Sequence, residues 1–100
     1  MVDNEIARII LEQMGGAGTL RCMIGGTPWL LSNGLQVNFK GCRMADRVQI
    51  ILDWTDTYTV TFYKLNRVTM DCPVVQEYQL VYVDQLVNLF EQFTGLTLRL

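Results

Sequence analysis

Apolar residues recur along this chain with two different periods, and the switches between them mark out the elements. Ile6, Ile9, Ile10 and Met14 follow the three- and four-residue spacing of a helix with one buried stripe, leaving Arg8, Glu12 and Gln13 on the wet side. Asp3 or Asn4 supplies a cap for its free amides. Gly15-Gly16 ends it, because glycine takes the left-handed conformation that closes a helix. From Thr19 the spacing drops to two: Leu20, Cys22 and Ile24 alternate with Arg21 and Met23, which predicts a strand that turns at Gly25-Gly26. Trp29-Leu30-Leu31 is a short apolar run, and Asn33-Gly34 after it is a strong hairpin signal.

Three clear alternations follow. Leu35, Val37 and Phe39 alternate with Gln36, Asn38 and Lys40; Val48, Ile50 and Leu52 with Gln49, Ile51 and Asp53; Tyr58, Val60 and Phe62 with Thr57, Thr59 and Thr61. Each predicts a half-buried strand with a solvated outer face, on which threonine fits the pleat and its hydroxyl tolerates water. Weaker strand signals over 67–70 and 74–78 are interrupted by Pro73, which lacks an amide donor and so marks an edge or a bulge. Helical spacing returns with Leu86, Leu89, Phe90 and Phe93, opposite Asp84, Gln85, Asn88, Glu91 and Gln92. Gly95 closes this helix, and Leu96, Leu98 and Leu100 alternate in a tail suited to a last edge strand.

The expected fold is therefore α+β: an antiparallel sheet of about five or six short strands, with one N-terminal and one C-terminal amphipathic helix packed on it. Short connections make the strands antiparallel neighbours. No repeat or linker divides residues 1–100, so a single domain is expected.

Composition sharpens this picture. Hydrophobic residues make up 50% of the chain and charged residues only 18%. A small domain has much surface to cover, so the apolar surplus goes either into a well-filled core or into a dimer or partner surface. The net charge of −2 gives the whole molecule no long-range attraction to phosphate, which disfavours non-specific nucleic-acid binding. The acidic, polar start is the opposite of a secretory leader, and no apolar run approaches membrane-spanning length. Three cysteines without a close pair, and no histidine, rule out a Cys or Cys/His zinc site within one subunit and fit a reducing cytoplasm.

Chemistry is scarce. The absence of histidine removes the commonest general base and its nucleophile pairs. Asp53 and Asp56 flank Trp54 in an expected turn, but a calcium site needs about six oxygen ligands or more, and aspartate is itself a turn former. Gly15-Gly16-Ala17-Gly18 follows a helix rather than a strand, the wrong order for a phosphate loop, so it reads as a cap and connector. Gly25-Gly26-Thr27 lies between expected strands and has neither a following helix nor a lysine. Cys42, between Lys40 and Arg43, is the thiol best placed for reactivity; Cys22 and Cys72 read as small core or edge residues. No catalytic, cofactor-binding or metal-binding residue is expected, and no enzyme.

One surface stands out. If strands 35–40, 47–53 and 57–64 form a meander, the loop 40–47 and the connection 64–67 lie at one end of the sheet. That end would gather Lys40, Arg43, Arg47, Lys64 and Arg67 against one local acid, Asp46, while Asp53 and Asp56 mark the other end. These five basic residues are the candidate partner-binding set, fitted to a carboxylate-rich protein face or to phosphate.

Several blocks in order carry a resemblance: Ile9-Ile10-Leu11-Glu12-Gln13-Met14-Gly15-Gly16, then Asn33-Gly34-Leu35-Gln36-Val37-Asn38-Phe39-Lys40, then Asp56-Thr57-Tyr58-Thr59-Val60-Thr61-Phe62, and finally Tyr82-Val83-Asp84-Gln85-Leu86 through Phe90 to Thr94-Gly95-Leu96. In these the chain resembles a group of small bacteriophage and prophage proteins of unassigned function. A segment reading Thr-Gly-Ala-Lys in similar proteins is Ile24-Gly25-Gly26-Thr27-Pro28 here, so no role of that lysine carries over. The resemblance implies a viral or mobile-element origin and supplies neither activity nor site residues.

Together these readings lead to a small non-enzymatic accessory protein in the host cytoplasm. It would act by binding a host or phage protein, as an inhibitor or adaptor. The alternatives are a self-associating structural protein and, less favoured, a nucleic-acid binder using the basic end. No cofactor and no membrane are expected.

Overall fold

Two helices precede the sheet rather than one. In the computed structural model, which describes residues 5–53, 55–66, 68–96 and 98, α1 (Glu5–Gln13) is followed at once by α2 (Gly16–Ile24). The segment expected as a strand from Thr19 is the second half of α2. Leu20 and Ile24 are its buried residues, four positions apart, and that spacing serves a helix as well as a strand. Cys22, which would share their face in a strand, is exposed. The glycines around α2 change meaning accordingly. Gly15, at φ 101, turns the chain between the helices, and Gly16 and Gly18 belong to α2. Gly25 is its left-handed cap, with its amide and that of Gly26 donating to Arg21 O and Leu20 O. The expected caps Asp3 and Asn4 lie outside the described residues.

Five strands then form one antiparallel meander in the order β1 (Thr27–Leu30), β2 (Gly34–Asn38), β3 (Arg47–Leu52), β4 (Tyr58–Tyr63) and β5 (Val74–Val81). The β1–β2 hairpin closes at Asn33-Gly34 as expected, with Leu31 N–H donating to Gly34 O at 3.0 Å. Gly34 is needed for a different reason than turn chemistry. It already lies in β2, and an added Cβ would collide with the Ile50 carbonyl oxygen of β3. The β4–β5 connection is a turn rather than a strand at 68–70, held by an Asn66–Asp71 bridge and by the Lys64 amide donating to Pro73 O. The edge or bulge expected at Pro73 is met, since β5 is the outer strand and its pairing with β4 is irregular between Phe62 and Tyr63; a second irregularity, between Tyr58 and Val60, lies at the other end of β5.

A 3-10 turn (Val83–Gln85) leads into α3 (Leu86–Thr94). The core lies between the helices and one face of the sheet, with Ile10, Leu20, Leu35, Val37, Val48, Ile50, Val60, Phe62, Leu86 and Phe90 buried. Phe62 is its centre on the α3 side, stacked on Phe93 at 4.1 Å and flanked by Phe90 and Tyr78 at 6.2 and 6.3 Å. Such ring pairs add about 0.5–1.5 kcal/mol each beyond area burial. The expected C-terminal strand is absent from the described tail. Leu98 instead enters the core, its amide donating to the Glu91 carboxylate at 2.8 Å. Leu100 lies outside the described residues. Among the described residues no helix is long and apolar enough to cross a membrane.

Candidate functional site

The helices serve the inner face, so the outer face of the sheet meets solvent; across β2, β3 and β4 it carries polar side chains that satisfy one another, with Trp29 of β1 exposed beside Gln36. Gln49 Nε2 donates to Gln36 Oε1 at 2.9 Å, and Gln36 Nε2 to Asn38 Oδ1 at 3.4 Å. Arg47 Nε donates to the same Asn38 oxygen at 3.1 Å, and Tyr63 Oη to Gln49 Oε1 at 3.3 Å. The chain of bonds runs across β2, β3 and β4 because the register sets Gln36 beside Gln49 and Asn38 beside Arg47. Thr61, expected on a solvated face, is buried at 7% exposure, since Gln49 and Glu77 stand beside it on the flanking strands.

The basic end forms as the meander requires. Asn38, Arg47, Tyr63 and Val74 are successive neighbours at one end of the sheet, so the 40–46 loop and the start of the β4–β5 connection lie together. Lys40 and Arg47 line a hollow of about 210 Å³ with Asn38, Asp46 and Leu65. Arg43 is exposed on the loop and Lys64 is half-buried beside it; Arg67 lies outside the described residues. Two of these cations already have local work. Arg47 is tied to Asn38, and the Lys40 stem lies against Gly25 at the C-terminal end of α2, where a cation is favoured by the helix dipole. Asp46 pins the end by accepting the Leu65 amide at 3.1 Å while its own amide donates to Tyr63 O.

The candidate chemical groups stay apart. Asp53 and Asp56 make the β3–β4 turn: Asp56 N–H donates to Asp53 O, and the Asp53 carboxylate accepts the Thr59 hydroxyl at 2.5 Å. Asp56 holds a φ of 62, which aspartate tolerates. Trp54 lies outside the described residues. Cys42 packs half-buried against the core. Among the described residues no three of Asp, Glu, Cys and His are grouped to hold a metal ion.

The feature that sequence reasoning missed is the β5 side. Val68 and Met70 at the hairpin tip are 92% and 72% exposed, and Val74, Val75, Leu80 and Tyr82 are exposed along β5 and just past its end, interspersed with the exposed Gln76, Glu77 and Gln79. Between β5 and α3 runs an open groove of about 340 Å³. Tyr78, Leu80 and Leu89 give it an apolar floor, and Gln79, Gln85, Asn88 and Gln92 a rim of carboxamides. Leu80 stands in the groove with φ 57, a left-handed conformation that costs a leucine about 1–2 kcal/mol. Its only forecast in the sequence was Pro73, which marks an edge without saying which neighbour is missing.

No protein-family model, no curated protein and no solved structure matches this chain.

Proposed function

We propose that the chain is a non-catalytic protein-binding module, an accessory protein of phage or mobile-element origin that works in the host cytoplasm as an inhibitor or adaptor. The observation that carries this reading is the set of exposed apolar side chains on the β4–β5 hairpin and β5, namely Val68, Met70, Val74, Val75, Leu80 and Tyr82. Soluble monomers rarely leave an apolar patch beside an unpaired strand edge without a partner to cover it. The polar groups of the outer face across β2, β3 and β4 partner each other and call for no ligand. The basic end supplies a second contact through Lys40, Arg43 and Lys64, suited to an acidic protein face.

The immobilised chain should capture a stoichiometric partner from host lysate, with capture weakened by Val75→Lys on the edge strand and less so by Arg43→Glu. Recovery of the chain alone would contradict the reading. The same free edge supports self-association as the second reading. Sedimentation at micromolar concentration separates the two, since a dimer blocked by Val75→Lys favours the second and a strict monomer removes it.

A further inference from the structure

An edge strand turns every second N–H and C=O away from its own sheet, and those groups seek another backbone. On β5 they border a groove whose far wall is α3. Gln85, Asn88 and Gln92 face it from positions three and four residues apart, one face of the helical turns, while Leu86 and Phe90 hold the other face in the core. An occupant of this groove is therefore defined on three counts. It is extended, to meet the edge backbone. It carries an apolar side chain, to sit against Leu80, Leu89 and Tyr78, because among the described residues no charged side chain lines the groove.

It also carries positive charge. The charged residues within two positions of the groove's lining residues are Glu77, Asp84 and Glu91, all acidic, and the Glu91 carboxylate already accepts the Leu98 amide. Glu77 lies on β5 itself, directly before the groove-lining Tyr78, and Asp84 lies in the 3-10 turn that joins β5 to α3. A neutral groove with the carboxylates of Glu77 and Asp84 next to its lining suits a basic-flanked segment and disfavours an acidic one.

We propose that the groove between β5 and α3 receives an extended segment of the partner protein by strand addition, with an apolar side chain seated on Leu80 and Leu89 and lysines or arginines flanking it. The proposal rests on the protein-binding reading and names the chemistry of the partner. Leu80 is the residue to test. Its backbone already holds the conformation that glycine adopts freely, so Leu80→Gly removes the anchor while suiting the local backbone.

The experiment is selection from a randomised twelve-residue peptide library on the full chain, followed by binding measurements on one synthetic representative of the enriched peptides. Enriched peptides are expected to alternate apolar and polar residues and to bear Lys or Arg at their flanks. The representative should bind Leu80→Gly at least about tenfold more weakly, and lose a similar factor when alternate backbone nitrogens are N-methylated. Its affinity should fall as salt is raised, and fall further on Glu77→Lys. Enrichment of acidic peptides, helical three-and-four spacing of the apolar residues, indifference to N-methylation, or no enrichment over Leu80→Gly would each overturn the proposal. So would a dimer of the free chain that buries β5, since the occupant would then be a second copy. Lysate capture that persists undiminished in Leu80→Gly would remove the groove and leave the protein-binding reading standing. Loss of capture by the unaltered chain would remove that reading.

Discussion

The two edges of this sheet are finished in opposite ways. β1 is four residues long, contains Pro28, which has no amide to offer, and lies beside α1 and α2. β5 is eight residues long and has no proline between Val74 and Val81; apolar exposure does not separate the two, since Trp29 and Leu30 of β1 are as exposed as Val74 and Val75 of β5. A sheet open at both edges invites copies to stack without limit, because each added edge presents another. Closing one edge and leaving the other open permits a single docking event and stops there. On this account β1 carries the protection, and β5 carries the binding.

That contrast can be broken from several directions, and the largest effect comes from below β5. Phe62→Ala removes the ring that Phe93 stacks on and that Tyr78 and Phe90 flank. A loss of about 3–5 kcal/mol is expected by urea denaturation. Native-state hydrogen exchange should show β5 opening before β1. Gly34→Ala acts on the other half of the sheet, driving a Cβ into the Ile50 carbonyl, with an expected cost of about 1–3 kcal/mol. It should leave peptide binding at β5 intact once the loss of stability is corrected for.

Smaller changes sharpen the comparison. Gln49→Ala strips the outer-face ladder of the group that both donates to Gln36 and accepts from Tyr63, so about 1–2 kcal/mol of stability should go with no change in binding. Pro28→Val restores an amide to the closed edge. Its effect on stability should be within about 1 kcal/mol, but concentration-dependent association should appear in sedimentation if Pro28 is what closes β1. A variant that stays as monomeric as the parent would place the protection elsewhere, in the helices beside the strand.

Much of this architecture is written locally, and the rest is not. The strands from Leu35 to Tyr63 are legible because three alternating runs rich in β-branched and aromatic residues follow one another across short turns, and hairpin connectivity alone places Lys40, Arg43, Arg47 and Lys64 at one end. Helix α2 is illegible for a specific reason. Leu20 and Ile24 satisfy both periods, and Cys22 between them is small enough to suit either, so only its exposure decides. Leu98 misleads in the same way, since alternating leucines describe an edge strand as well as a tail folded back on α3. The groove escapes the sequence altogether. It depends on β5 being last in the sheet, on the irregular pairing near Tyr58, and on a left-handed Leu80, none of which leaves a mark on a hydropathy pattern.

The most direct measurement is amide hydrogen exchange on the full chain with and without a bound library-selected basic peptide. The account predicts new protection at alternate amides of β5, between Gln76 and Leu80, with β1 and the 40–46 loop unchanged. Protection at Trp29 and Leu30, or confined to the loop that carries Arg43, would contradict it.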